Sequence, residues 1–297
     1  MYSPVTGKSA NVVDLFVVKE LINGYKTAIG VDVSPYFQGM DALPQYACPD
    51  TGMRFFYPDT LAGSPQFYTA LENREAYYSD WKWEYDEAFQ MVEANTNVLD
   101  IGCGRGAFLK KLKGEKACDV TGLEFNPNAY AQLCESGIRA SMEPVETHSE
   151  QHEERYDVVT FFQVLEHISA VESFLTAAIK CLKKNGLLIL AVPNNEPYLF
   201  GFNKYDWLNL PPHHMGWWNA GSLQKLSNFF PIKTERIQAC PFRDYNNYLN
   251  AQEVNTAILN PNRLGWLKAT RPVRKQWIQL NRNNIPGVFI MAVYKKI

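Results

Sequence analysis

From Trp81 onward, short apolar runs alternate with longer stretches of helical periodicity. Asn97–Ile101 is too short for a helix and ends in glycines, which predicts a buried strand. Trp81–Asn95 before it predicts a helix, and Gly106–Leu112 after it predicts another. Lys110, Lys111 and Lys113 sit near the C-terminal end of that second helix, where the dipole favours cations. Ala117–Leu123 predicts a strand, and Asn126–Ser136 a helix with Pro127 in its first turn and Gly137 just beyond its end. A weak strand follows at Ile138–Met142, then a β-rich one at Tyr156–Phe162 whose content suits a central position. Ala170–Leu182 carries apolar residues at Val171, Phe174, Leu175, Ala178 and Ile179, one face of a helix. Strands are predicted at Gly186–Val192, Ile232–Gln238 and Val288–Tyr294, with a helix at Asn219–Phe229. Strands and helices in alternation argue for βαβ units and a parallel sheet.

Two regions break the rhythm. Residues 1–80 are rich in proline, glycine and aromatics and carry turn signals at Ser34-Pro35, Cys48-Pro49-Asp50 and Tyr57-Pro58-Asp59. They are expected to form an irregular accessory segment, with Asp14–Asn23 either a short helix or a strand. About fifty residues, Ala239–Pro286, separate the last two strands and predict a mostly helical insertion at about 240–285. The division expected is therefore 1–80 and 81–297.

Composition narrows the class. A chain of 297 residues with 46% hydrophobic positions buries a sizeable core. A net charge of -2 gives no positive field to draw in nucleic acid, so no nucleic-acid partner is expected. The basic run from Arg263 to Arg282 is either a site for an anionic acceptor or a solvated face. Six cysteines without a C-x-x-C pair disfavour a zinc ribbon or redox dithiol and fit a reducing compartment. No charged leader with an apolar stretch opens the chain, and no apolar run is long enough to span a bilayer, so a cytoplasmic location is expected.

The chemistry concentrates in Val98-Leu99-Asp100-Ile101-Gly102-Cys103-Gly104-Arg105-Gly106. Glycines after a strand let the backbone turn tightly and approach a ligand with no Cβ in the way. Asp100, two residues before Gly102, repels a pyrophosphate and suits a cationic group such as an amino-acid ammonium. Glu124 ends the next strand, where a carboxylate accepts both hydroxyls of an adenosine ribose. That feature is shared with dinucleotide-binding proteins, so an oxidoreductase reading stays open at this point.

The order of motifs favours one reading. Leu99–Gly106, Glu124, Tyr156-Asp157-Val158-Val159, Val164-Leu165-Glu166-His167-Ile168, and Leu182–Ile189 before Val192-Pro193-Asn194 resemble, in sequence and spacing, the class I S-adenosylmethionine-dependent methyltransferases of the ubiquinone-biosynthesis-like group. The resemblance covers roughly the C-terminal three quarters of the chain. It implies a doubly wound α/β fold with a mostly parallel seven-stranded sheet whose last strand is inserted antiparallel. It implies S-adenosylmethionine as cofactor and a small-molecule methyl acceptor, an oxygen or nitrogen of a ring-bearing metabolite or sugar. Asp100 and the backbone of Gly102, Cys103 and Gly104 would face the methionine part. Glu124 would hold the ribose, with Phe125 beside the adenine and Met142 and Glu143 flanking it. Gln163 would face the cofactor from the other side. A non-catalytic cofactor-binding or regulatory protein on the same fold is the alternative, with a dinucleotide-dependent oxidoreductase after it.

Methyl transfer to a hydroxyl needs a proton removed, and histidine titrates near neutral pH. His214, and after it His213, are therefore the candidate bases, in a Pro-Pro-His-His-Met-Gly-Trp-Trp loop above the expected methyl. Glu166-His167 is expected to shape the turn after Tyr156–Phe162, and no metal is expected because His167 has no ligand set near it in sequence. Tyr198, Phe202, Tyr205, Trp207, Trp217 and Trp218 are candidate acceptor-pocket walls. Tyr77–Glu84 is expected either to close over the cofactor or to dock the accessory segment. Tyr46–Pro58 resembles half of a zinc ribbon with Thr51 where the second cysteine would stand, a degenerate segment without metal.

Overall fold

The computed structural model describes residues 1–72, 81–195, 207–242, 249, 253, 261–281 and 286–297. Its centre is a seven-stranded sheet built from β4 (Asn97–Ile101), β5 (Asp119–Leu123), β6 (Arg139–Ser141), β7 (Tyr156–Phe162), β8 (Leu182–Pro193), β10 (Ile232–Pro241) and β11 (Pro286–Lys296). Their order is β10-β11-β8-β7-β4-β5-β6. β4, β5, β6, β7 and β8 pair in parallel, whereas β11 lies antiparallel between β8 and β10. This is the doubly wound α/β sheet the motifs imply, antiparallel last strand included.

Strands buried on both faces carry the apolar runs that made them legible. One core packs Leu99, Val159, Phe161, Leu188 and Leu190 against Phe174, Leu175 and Ala178 of α7 (Val171–Cys181). On the opposite face Val98, Val120, Val158 and Ile189 pack against α3 (Trp83–Met91), α4 (Ala107–Lys116) and α5 (Pro127–Glu135), with α6 (Val145–Gln151) following β6. Asn126 caps α5, its side chain accepting from the backbone N–H of Asn128 and Ala129. Helices at Leu264–Ala269 and Arg271–Asn281 agree with the helical insertion. Among the described residues, no helix is long and apolar enough to cross a membrane.

The N-terminal segment departs from the irregular extension expected. Asn11–Val17 is strand β1, and Val18–Gly24 immediately continues it as helix α1, so both readings of Asp14–Asn23 hold in sequence. β1 pairs antiparallel with β2 (Ala42–Ala47), and β2 with β3 (Arg54–Phe56). A fourth strand, β9 (Gly216–Trp217), comes from well beyond β8 in the chain and pairs with β3. Phe16, Phe37, Leu43, Phe56, Leu61 and Phe67, the last on α2 (Pro65–Glu72), share a core with Leu210, Met215 and Trp217.

That core corrects the acceptor-wall expectation for the tryptophans. Trp217 packs edge-on to Phe16 and Phe56, and Trp218 is fully buried in the main core. Trp207 packs against Gly24, where any Cβ would collide with the indole. Apolar rings this large are worth more buried than facing an open cleft. Tyr198, Phe202 and Tyr205, and Tyr77–Asp80, lie outside the described residues. Trp81 and Trp83 pack partly buried beside the core on the α3–α4 face. In the hairpin between β2 and β3, Thr51 N–H donates to Cys48 Sγ at 3.4 Å. Cys48 belongs to no cluster of potential metal ligands among the described residues.

Candidate functional site

β4 ends in a loop that only glycine tolerates. Gly102, Gly104 and Gly106 have φ of 69°, 54° and 73°, the left-handed region in which a Cβ costs energy. At Gly102 a Cβ would also lie 2.6 Å from Val164 Cγ2, on the turn after β7. Two N–H groups of the loop, from Gly102 and Cys103, donate to the Leu123 carbonyl at 2.7 and 3.2 Å. Gly104 N–H donates to Glu124 Oε2 at 2.7 Å, and Asn126 N–H to Glu124 Oε1 at 2.8 Å. The Glu124 carboxylate is thus aimed by backbone at the end of β5, beside the glycine loop. A carboxylate oxygen accepts more than one hydrogen bond, so this orientation leaves it competent for a diol.

Asp100 lies behind the loop, 2% exposed, and accepts from Thr160 Oγ1 at 2.7 Å. Burial pushes its carboxyl up to about 7. Glu84 and Glu166 are also buried, each 1% exposed, and their charges act on one another. Burial pushes Glu166 up to about 8, and among the described residues neither of its carboxylate oxygens has a hydrogen-bond partner. Lys82 is the cation whose charge reaches both Asp100 and Glu166. Such a set of acids is costly unless a cation sits among them.

Gln163 completes the edge. Its backbone is left-handed, φ 58°, its N–H donates to the Ala191 carbonyl at 2.8 Å, and its Nε2 donates to Glu84 Oε1 at 3.2 Å. A non-glycine residue held in that conformation marks a site whose surroundings over-determine it. Beyond Glu124, Phe125 is 65% exposed and Met142 42% exposed, at the ends of neighbouring strands. Large apolar groups held at a sheet edge offer an unused face to a planar ring.

The structure therefore brings Asp100, Gly102, Gly104, Glu124 and Gln163 to one edge, with Phe125 and Met142 adjoining. Cys103 contributes backbone alone, and Glu143 has a partner of its own. Cys103 turns its thiol inward against Gly122, where a Cβ would lie 2.5 Å from the sulfur, so only its backbone belongs to the loop. Glu143 accepts from His148 Nδ1 at 2.7 Å, and that hydrogen bond holds its carboxyl below the usual range. Glu84, Thr160 and Lys82 escaped the sequence reading. Thr160, an aliphatic hydroxyl between Val159 and Phe161 in the strand Tyr156–Phe162, is the available signal.

A second cluster lies on the turn after β7. His167 meets His213 and His214, with ring centroids 4.7 and 4.8 Å away, and the latter two stack at 4.4 Å. Burial pushes His167 down to about 4, His213 down to about 3 and His214 well below its usual value. A general base works best with a conjugate acid near the operating pH. Burial disfavours the protonated form of each ring, which weighs against the base role expected of His213 and His214.

Fit to S-adenosylmethionine follows from these observations. The buried acids suit its ammonium and sulfonium, the glycine cradle its amino-acid backbone, Glu124 its ribose, and Phe125 with Met142 its adenine. A methyltransferase-domain profile matches residues 71–229, more than half of the chain. The ubiquinone biosynthesis O-methyltransferase of Hydrogenovibrio crunogenus is 32% identical over 138 residues, 43% of this chain and 56% of that protein. Its counterpart in Photorhabdus laumondii is 30% identical over 161 residues, 46% of this chain and 63% of that protein. The chain thus spans a little over half the length of these curated relatives. Among solved structures, a SAM dependent methyltransferase from Archaeoglobus fulgidus shares the fold, with a TM-score of 0.50 and 20% identity over 77% of this chain and 100% of that one. With its profile match, its sheet order and its glycine loop in agreement, the chain belongs to the methyltransferase-domain family, the class I S-adenosylmethionine-dependent methyltransferases.

Proposed function

We propose that this protein transfers the methyl group of S-adenosylmethionine to a small-molecule acceptor, at an oxygen (or nitrogen) of a ring-bearing metabolite or sugar. The observation that carries the cofactor half is the pairing of buried Asp100 with a Glu124 carboxylate held by Gly104 N–H. The relatives' names, O-methyltransferases of ubiquinone biosynthesis, support an oxygen on a ring as the acceptor.

S-adenosylmethionine supplies a methyl already activated on a sulfonium. What the chain must add is placement and dryness. Glu124 fixes the ribose, and the Asp100 side fixes the ammonium, which together set the direction of the methyl. Val164, beside Gly102, and Gln163 at the same sheet edge would form the wall from which the methyl emerges. The acceptor would approach from the turn after β7 and the loop at 207–215, which lie on that side.

Calorimetric titration of S-adenosylmethionine and S-adenosylhomocysteine, with NADH as control, tests the reading. Micromolar binding of both sulfur ligands is expected. Glu124→Ala should weaken it by about 1.5–3 kcal/mol, the worth of a charge-assisted hydrogen bond. Preference for NADH, or no binding of either sulfur ligand, would sink the proposal.

A further inference from the structure

Two distant stretches of chain, 46 residues apart, supply three imidazoles to one place. His167 ends the turn after β7, while His213 and His214 follow the Pro211-Pro212 corner. One ring nitrogen of each lies within 4.8 Å of those of the other two. His213 and His214 are 6% and 7% exposed.

The hydrogen bonds around the rings fix their tautomers. His167 Nδ1 lies 2.6 Å from the His213 carbonyl, with Tyr68 Oη 3.1 Å away. His213 Nδ1 lies 2.6 Å from the Leu208 carbonyl. His214 Nδ1 lies 3.0 Å from Asn209 Oδ1. That amide is itself oriented, because its Nδ2 donates to Asn195 Oδ1 at 2.7 Å and Asn195 Nδ2 donates to the Pro193 carbonyl at 3.3 Å. A carbonyl oxygen only accepts, so each Nδ1 carries a hydrogen and each neutral ring keeps its lone pair on Nε2. The Gln163 carbonyl also borders the His167 ring.

Histidines that bind metal almost always donate the second ring N–H to a carbonyl, carboxylate or water, which sets the tautomer and raises ligand basicity. All three rings here meet that condition. We propose that His167, His213 and His214 bind one divalent ion of the zinc class. Imidazole suits zinc and its first-row neighbours, whereas magnesium and calcium prefer oxygen. Zinc–nitrogen bonds of about 2.0–2.1 Å place tetrahedral ligand nitrogens about 3.3 Å apart, so the ring nitrogens, now within 4.8 Å of one another, would draw together on an ion. Glu166 stands next to His167 in sequence but outside the ligand group. Three protein ligands leave a fourth position for water or an acceptor oxygen, the pattern of a reactive rather than a closed structural site. The proposal stands apart from the methyl-transfer reading, since metal binding requires neither cofactor nor acceptor.

The test uses the full chain, stripped with chelator and desalted. Zinc chloride is titrated by calorimetry, and cobalt(II) chloride by visible absorption. One equivalent per chain is expected, with intense tetrahedral cobalt bands and no thiolate-to-cobalt charge transfer. His167→Asn, His213→Asn and His214→Asn should each lower affinity about tenfold or more. Asn209→Leu keeps all three imidazoles but removes the acceptor behind His214, and should cost about ten- to hundredfold. Cooperative thermal unfolding marks the variants that are folded. Lack of stoichiometric binding to the wild type, an octahedral or thiolate cobalt spectrum, or affinity retained in the histidine variants would each overturn the site. The wild-type titration and the cobalt spectrum decide the matter even where a variant fails to fold.

Discussion

Asp100 and Glu166 carry opposite consequences for folding and for binding. In the unfolded chain both titrate in the ordinary range, about 4. Folded, burial lifts them to about 7 and about 8. Between those limits the native state holds protons that the unfolded state has released. Stability from these groups is therefore fully present below about pH 4 and is lost as pH rises through 7 and 8. A cationic ligand reverses the preference, because it favours the ionised carboxylates. Affinity for S-adenosylmethionine should accordingly rise as pH climbs toward 8, and binding near pH 6 should release protons. Calorimetry in two buffers of different ionisation enthalpy measures that release directly. Asp100→Asn should reduce it and weaken binding by about 1.5–3 kcal/mol. Proton uptake, or none, would count against a cation beside Asp100.

The turn between β4 and α4 is where local conformation and ligand recognition coincide. Gly102→Ala places a Cβ in a left-handed residue and against Val164. A loss of about 1–3 kcal/mol of stability is expected in denaturant titrations, with weaker cofactor binding. Adding Val164→Ala should recover the part due to collision and leave the part due to backbone. Full recovery would show that φ costs nothing there. This loop was legible in sequence because strand, glycines and helix stand in unbroken order, and β4, β5, β7 and β8 were legible because burial on both faces makes them largely apolar runs, whereas β6 is short and half exposed. The N-terminal sheet was not. Val12, Val13, Leu15 and Val17 of β1 are all exposed, so the strand never shows the alternation of a half-buried one. β9 is two residues long, too short for any pattern. α6 buries only Val145, His148 and Ser149, and its polar sequence concealed a helix. The histidine cluster was missed for another reason: the spacing of ligands along the chain says nothing when tertiary structure supplies them.

At the scale of the molecule, the N-terminal sheet is knitted into the catalytic fold rather than appended to it. Phe56 N–H donates to the Met215 carbonyl at 2.9 Å, Gly63 N–H to Pro212 at 2.8 Å, and Tyr25 Oη to Leu210 at 2.7 Å. Val5, Met53 and Phe55 bury themselves in the same core as Leu165, Val171 and Trp218. The three hydrogen bonds all grip the loop that carries His213 and His214. Phe16 is the place to probe the coupling, since its ring is 1% exposed and meets Phe56 at 5.5 Å and Trp217 at 6.2 Å. Phe16→Ala should cost about 3–5 kcal/mol, the usual range for a buried phenylalanine. If the sheets unfold together, circular dichroism and tryptophan fluorescence will keep one coincident transition. Hydrogen exchange will then accelerate in β7 and β8 as well as in β1 and β2. Faster exchange confined to β1–β3, with an unshifted main transition, would show that the N-terminal sheet unfolds alone and that the loop at 207–218 holds its place without it.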